Sequence, residues 1–335
     1  MNLSALRNSA VVASVSTTTT GAPSPTGSLE QARQIAGIVL SRQRRLAAHP
    51  EAAPCAQCVD FHAPDIQRQM LVGGPIRFVL PAFPAKSPNP EKVLGPAPDM
   101  GEELAMRSLE GMCAQIREVY EPGAHIMICS DGRVFSDSVG IAEEDVTVYQ
   151  SGMRTLLADL SVESLSIWGL DDVYPGLSHR DMRGTLMLNH GESVEVHRKL
   201  VKEGGHAEVM YRGITRFLFE DADRSRSTTS KSALQRDCRR RAYQVIARSQ
   251  AWSNLLDKRF PDAIRLSIHP QPCASKKIGM HVTDSVDGDQ WLTPWHAVAV
   301  ETPDGYRLMK RRDAEAVGGV LVYQAGRPYH YVLAA

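Results

Sequence analysis

The chain has 335 residues, with 38 Lys+Arg balanced by 38 Asp+Glu, 43% apolar residues and 23% charged ones. That length supports a buried core for one large or two modest domains, and zero net charge removes the sequence-independent attraction to phosphate backbones that a dedicated nucleic-acid binder uses. No apolar run approaches the roughly 18 residues of a membrane span; six cysteines in a chain this long form no disulfide framework and point to a reducing, cytoplasmic setting.

Residues 1–27 are small and nearly uncharged, ending in Gly21-Ala22-Pro23-Ser24-Pro25. The apolar Ala10–Ala13 run is too short for a signal peptide, so the segment reads as a disordered tail ahead of a single domain over 28–335. A helix is expected from Ser28 toward Ala48, with Ile35, Ile38 and Val39 on one side. An irregular Pro-rich stretch holding Cys55 and Cys58 follows, then a buried strand over Ile76–Leu80. Four prolines between positions 81 and 90 exclude helix and interior sheet and make Phe83–Pro90 a rigid, shaped loop.

Asp99 opens a helix in which Ala105, Leu109, Met112, Cys113, Ile116 and Val119 follow the 3.6 period. Ala124–Cys129 is a second apolar strand ending in Ser130-Asp131-Gly132. A helix carrying Val146, Tyr149, Met153, Leu156 and Leu160 precedes a strand at Leu165–Trp168. Strand and helix alternating at this spacing imply βαβ units and a mostly parallel sheet. Helical stretches near Arg180–Asn189 and Val194–Lys202 lead to an apolar-alternating segment at Ile214–Phe219 and a long helix over Ser230–Arg259. Ala263–His269, Lys277–Val282, His296–Val300 and Tyr306–Lys310 read as strands, the last pair joined by Pro303-Asp304-Gly305, so the C-terminal strands are expected to be antiparallel.

Dinucleotide, P-loop, H-E-x-x-H and G-x-S-x-G signatures are all absent. Cys55-x-x-Cys58 is half of a zinc site, but Cys113, Cys129, Cys238 and Cys273 supply no second pair at regular spacing, and an incidental role is favoured even with His62 nearby. His179-x-Asp181 with His296 as distal ligand has the composition of a non-haem iron triad. Ser178 and Asp181, however, form a capping box after Tyr174-Pro175-Gly176, which places the pair on a helix and not on the strand an iron site uses. Asp99 and Glu102 likewise read first as a capping box, although the neighbouring Lys86 loop leaves a site role open.

Ser130–Asp137 follows a strand at the edge where open α/β sheets bind ligands, and it brings two carboxylates, two hydroxyls and an arginine there. A plain turn and a site fit it equally. Seven basic residues against one acidic between Arg224 and Arg241 lack the interleaved aromatics of a nucleic-acid module; a solvated face or a wall for a phosphate is the better reading.

Several segments are recognisable together: Phe83-Pro84-Ala85-Lys86-Ser87-Pro88-Asn89 with Lys92–Gly95 and Pro98-Asp99-Met100; Ser130–Asp137; Tyr174–His179; Arg216-Phe217 through Glu220-Asp221; Arg265–Pro270; and Thr293-Pro294-Trp295-His296. In these the chain resembles the isonitrile synthases of the pyoverdine/dityrosine biosynthesis family over about residues 30–312. The resemblance implies a Rossmann-like α/β fold. It also implies conversion of the α-amino group of an L-amino acid, often Tyr or Trp, to an isonitrile whose carbon comes from C2 of ribulose 5-phosphate. No metal or nicotinamide cofactor is implied, and a later enzyme, commonly an iron/2-oxoglutarate oxygenase, acts on the product.

Such chemistry needs a general base near neutral pKa, an acid for leaving groups, and cations for the phosphate. The candidates are Lys86 as proton carrier or phosphate ligand and Asp131 and His296 as acid and base. Arg133, Arg216, Lys277, Lys310 and Arg311 are candidate phosphate and carboxylate clamps, and Ser87, His179 and His269 candidate substrate contacts. Trp168, Tyr174, Tyr211 and Phe217 are aromatic candidates for the pocket wall. The rival readings are an iron oxygenase and a non-catalytic sugar-phosphate-binding protein.

Overall fold

The computed structural model describes residues 28–46, 54–223, 229–284 and 292–333; the expected tail over 1–27 lies outside them. Helices α1 (Leu29–Leu40) and α2 (Ala56–Val72) precede β1 (Ile76–Pro81), α3 (Met100–Val119), β2 (Ala124–Ser130), α4 (Gly132–Val139), α5 (Glu143–Asp159) and β3 (Leu165–Gly169). A helical run follows: α6 (Leu170–Val173), α7 (His179–His190), α8 (Val194–Glu203), α9 (His206–Asp221) and α10 (Lys231–Arg259). Then come β4 (Ile264–Ser267), β5 (Lys277–Gly279), a 3-10 turn over Pro294–His296, β6 (Val298–Thr302), β7 (Gly305–Met309), α11 (Arg311–Ala316), β8 (Val320–Gln324) and β9 (Arg327–Val332).

Five strands form one parallel sheet in the order β3-β2-β1-β4-β5. Strand alternation sorts its two faces. Phe78, Leu80, Ile126 and Ile128 pack under α1, α2, α3 and α5, while Val79 and Cys129 turn the other way, against Val134, Met182, Leu186, Trp252 and Leu256 of α4, α7 and α10. Burial of both faces explains why these strands read as continuous apolar runs. The order reverses direction beside β1, so the crevice beyond the carboxyl ends of β1 and β4 is the position where such sheets bind ligands. The C-terminal strands make a second sheet, β7-β6-β9-β8, of two antiparallel hairpins joined by a parallel β6–β9 pairing.

The structure departs from the expected elements in several places, and β4 and β5 join the parallel sheet and not an antiparallel C-terminal part. The Pro-rich stretch around Cys55 contains α2, because Cys58, His62, Ala63, Ile66 and Met70 recur at helical spacing and are buried. Pro64 is exposed within it, and the buried face outweighs the one backbone donor that a proline lacks. Ile214–Phe219 is part of α9, whose Leu218 and Asp221 are its buried positions. Ser130–Asp137 is mostly α4, and Pro294 starts a 3-10 turn so that β6 begins only at Val298. The helix from Ser28 ends at Leu40.

Candidate active site

Beyond the carboxyl ends of β1, β2 and β4, and beside the first residue of β5, lies a cavity of about 480 Å³. Its lining combines apolar Phe135, Ile214, Phe217 and Trp252 with basic Arg265, His269 and Lys277, and Asp131 and His296 also line it. Lys277 makes no ion pair among the described residues, and the buried Nε of Arg265 has no hydrogen-bond partner although its Nη1 pairs with Asp257. Burial lowers the Lys277 ammonium from its ordinary value, with Arg265 adding to the effect. His269 is lowered for the same first reason, with Arg44, Lys277 and His296 adding positive charge. Lys277 and the unpartnered Nε of Arg265 can donate to an anionic group on a ligand.

Asp131 stands at the N-cap position of α4 yet makes no capping hydrogen bond with its side chain. Its Oδ1 is buried and unpartnered, and burial pushes the carboxyl up to about 7. Gly132 explains how the chain reaches this position: a Cβ there would overlap the Pro84 carbonyl oxygen and crowd Val146. The Asp-Gly pair thus permits close approach of the Pro-rich loop to the first turn of α4. Phe83, in that loop, has φ +57, a strained conformation for a non-glycine residue. It is held by a 2.8 Å hydrogen bond from Ser130 Oγ to its carbonyl and by edge-on contact with the Trp295 ring.

His296 has a hydrogen-bond partner at one ring nitrogen and a carboxylate near the other. Its Nδ1 lies 3.0 Å from Thr293 Oγ1, and its Nε2 is 3.7 Å from Asp221 Oδ2. Burial lowers its pKa and the Asp221 carboxylate opposes that. Asp221 is itself buried and receives Ser87 Oγ and Lys92 Nζ, each at 2.7 Å, on Oδ1. Phe217 packs edge-on against the His296 ring.

Lys86 does not line the cavity. Its Nζ is buried 2.8 Å from Asp99 Oδ2, 2.7 Å from Glu102 Oε2 and 3.0 Å from the Pro294 carbonyl. Three oxygens saturate an ammonium with three donors. Burial alone would lower this pKa, but the two carboxylates outweigh it and raise it. Burial, with Glu102 adding, raises Asp99 to about 7 against the opposing pull of Lys86. The expected capping box of Asp99 and Glu102 is present, so the pair caps α3 and binds Lys86 at once. Lys86 through Pro294, and the Ser87 N–H donating to the Trp295 carbonyl, tie the Pro-rich loop to the turn that presents His296.

Other expected contacts lie elsewhere. Arg133 is buried in a network with Glu143, Asp171 and Thr147, and His179 pairs with Glu143. Arg216 pairs with Glu220 on the exposed side of α9. Lys310 is the N-cap residue of α11 and Arg311 pairs with Glu315. Ser178 caps α7 through the Asp181 N–H, as the capping reading expects. Trp168 stacks on Trp252 in the core and Tyr211 on Tyr243, which leaves Phe217 as the cavity aromatic among those named from sequence. Arg265 and Asp221 sit in segments the sequence singles out, but nothing in a linear pattern distinguishes them from solvated charges. Trp252 carries no signal beyond helical periodicity. Cys273 meets the Cys55–Cys58 pair across more than two hundred residues, a placement that spacing alone does not reveal.

A family model described as pyoverdine/dityrosine biosynthesis protein matches residues 66–321. This chain belongs to that family. It is 43% identical over 293 residues to L-tryptophan isonitrile synthase AmbI2 of Fischerella ambigua, covering 87% of this chain and 88% of that protein. It is also 43% identical over 312 residues to an L-tyrosine isonitrile synthase of Pseudomonas aeruginosa, covering 91% and 94%. The crystal structure of the PvcA protein from Pseudomonas aeruginosa superposes with a TM-score of 0.84 at 41% identity, covering 91% of this chain and all of that one. With enzymes at this identity across nearly the full length of both chains, this family member is an enzyme and not a silent binding module. No helix among the described residues is long and apolar enough to cross a membrane.

Proposed function

We propose that the protein is an L-amino acid isonitrile synthase, with an aromatic amino acid, Tyr or Trp, as substrate and C2 of ribulose 5-phosphate as the carbon donor. The observation that carries this reading is the mixed lining of the cavity. Phe135, Ile214, Phe217 and Trp252 offer apolar surface for an aromatic side chain, and Arg265 and Lys277 in the same lining offer charge for a phosphate. Asp131 and His296, which line the same cavity, are the acid/base pair.

In the proposed sequence the substrate amine adds to the C2 ketone and water leaves, giving an imine. Proton transfers on the sugar carbons then expel phosphate, and the C1–C2 and C2–C3 bonds break to leave C2 on the nitrogen, their electron pairs being taken up by protonation and by departure of the phosphate, so that no external oxidant or reductant is needed. Asp131, titrating near 7, is matched to abstract and return protons at neutral pH. His296, oriented by Thr293 and Asp221, serves the departing oxygens. The reading includes a cytoplasmic setting and a product passed to an iron/2-oxoglutarate oxygenase.

The test is turnover with ribulose 5-phosphate carrying carbon-13 at C2, offered with L-Tyr, L-Trp and L-Phe in turn. A labelled isonitrile carbon from one of them is the expected result. Folded protein that makes no labelled product from any of the three refutes the assignment of donor and substrate.

A further inference from the structure

Cys55, Cys58 and Cys273 bring three sulfurs within 4.8 Å of one another, the only such cluster of metal-ligating side chains among the described residues. The two sulfurs from α2 each lie 3.6 Å from Cys273 Sγ. Three thiolates at about 2.3 Å from a tetrahedral zinc ion stand about 3.8 Å apart, so both distances to Cys273 Sγ are within a few tenths of an ångström of that arrangement, and the third pair lies within 4.8 Å.

N–H groups also point at two of the sulfurs. Cys55 is the N-cap residue of α2, and its sulfur accepts from the Cys58 N–H at 3.5 Å. Cys58 Sγ receives the Ala274 N–H at 3.5 Å and Gln43 Nε2 at 3.4 Å. Ala274 has φ +51, a left-handed conformation that costs an alanine energy, and it is this turn that sets Cys273 and the Ala274 N–H over Cys58. Gln57 Oε1, 3.2 Å from Cys273 Sγ, faces the remaining coordination position on the more open side.

We propose that Cys55, Cys58 and Cys273 form a structural site for Zn²⁺, with Gln57 or a water molecule at the fourth position. Binding replaces three thiol protons by one Zn²⁺, which releases three protons to solvent and involves no redox step. The site would clamp the start of α2 to the loop between β4 and β5. That loop carries Cys273 between His269 and Lys277, two residues that line the cavity. The consequence for substrate binding rests on the function proposed above, but metal binding is read without turnover.

The test uses the full-length protein purified in reductant, with zinc content measured by mass spectrometry and Co²⁺ as a spectroscopic probe. The expected result is one zinc per chain and, with Co²⁺, a sulfur-to-metal charge-transfer band. Cys273→Ser should lose about a third of that band and weaken zinc retention against a chelator at least about tenfold. Cys55→Ser is the companion variant, because serine keeps the N-cap of α2 and the fold with it, and it should show the same loss. Reduced, folded protein that takes up no zinc, or variants whose Co²⁺ spectrum matches that of the parent, would overturn the proposal.

Discussion

Replacing Asp131 by Asn should raise stability and abolish turnover together. The carboxyl titrates near 7 in the folded protein against an ordinary value of 3.8, and burial is the cause. The folded state therefore holds this proton more tightly than the unfolded chain does. Stability contributed by the protonated form is complete at low pH and is lost as pH rises from about 4 through 7. The two values differ by about 3, and at about 1.4 kcal/mol for each tenfold in proton affinity the burial of the ionised group costs at most about 4 kcal/mol. Water in the cavity screens part of this, and about 1–3 kcal/mol is the working expectation. Asn keeps the shape and carries no charge, so the variant should be more stable than the parent by that amount at pH 8 and nearly equal to it at pH 4. Urea unfolding at both pH values measures the difference, and turnover at pH 8 measures the loss of the base. A variant less stable than the parent by the same amount at both pH values would refute the reasoning, since Asp131 would then be a structural acceptor whose charge the fold wants.

Lys86→Met should unfold more easily by about 3–5 kcal/mol, because it strands two buried carboxylates; adding Asp99→Asn and Glu102→Gln should recover much of the loss in the same denaturation assay. Asp221→Asn keeps a hydrogen-bond partner for Ser87 but removes the charge that holds His296 up against burial. Its pH profile of kcat/KM should shift the His296 limb to lower pH, and an unmoved limb would exclude Asp221 as a positioning residue. Lys277→Ala should raise KM for the sugar phosphate about tenfold with little change in Tm. Arg133→Met should do the reverse, lowering Tm while leaving that KM in place, because its partners are Glu143, Asp171 and Thr147 and not a ligand.

The parallel sheet was legible because burial on both faces leaves uninterrupted apolar runs at Ile76–Leu80 and Ala124–Cys129, and α3 because Asp99 and Glu102 announce its first turn. What escaped was whatever depended on a neighbour far away in sequence. The helix face of Ile214–Phe219 resembles strand alternation until α10 is placed beside it. The Pro-rich stretch at Cys55 hides α2 because Pro64 is a local signal against helix and the buried face of the helix is a tertiary one. In the cavity, Asp131 and His296 could be picked out because each adjoins a turn signal at the end or start of an element, Asp131 just before Gly132 and His296 just after Pro294.

Basic residues were the least readable class, and the reason is physical. Arg133, Arg216, Lys277 and Arg311 have the same linear appearance, yet a cation is useful to a ligand only where the fold leaves it unpaired. Glu143 and Asp171 consume Arg133, Glu220 consumes Arg216 and Glu315 consumes Arg311, while Lys277 faces the cavity without an ion pair among the described residues. Lys86 carries the same argument to its end. Its sequence setting on a rigid loop suggests a reactive amine, but three oxygens already surround it, and one of them is the carbonyl of the turn that holds His296. Its contribution to chemistry therefore runs through His296. Lys86→Met protein held folded at low temperature should lose kcat with a smaller change in KM, whereas a lysine that bound phosphate itself would show its loss chiefly in KM.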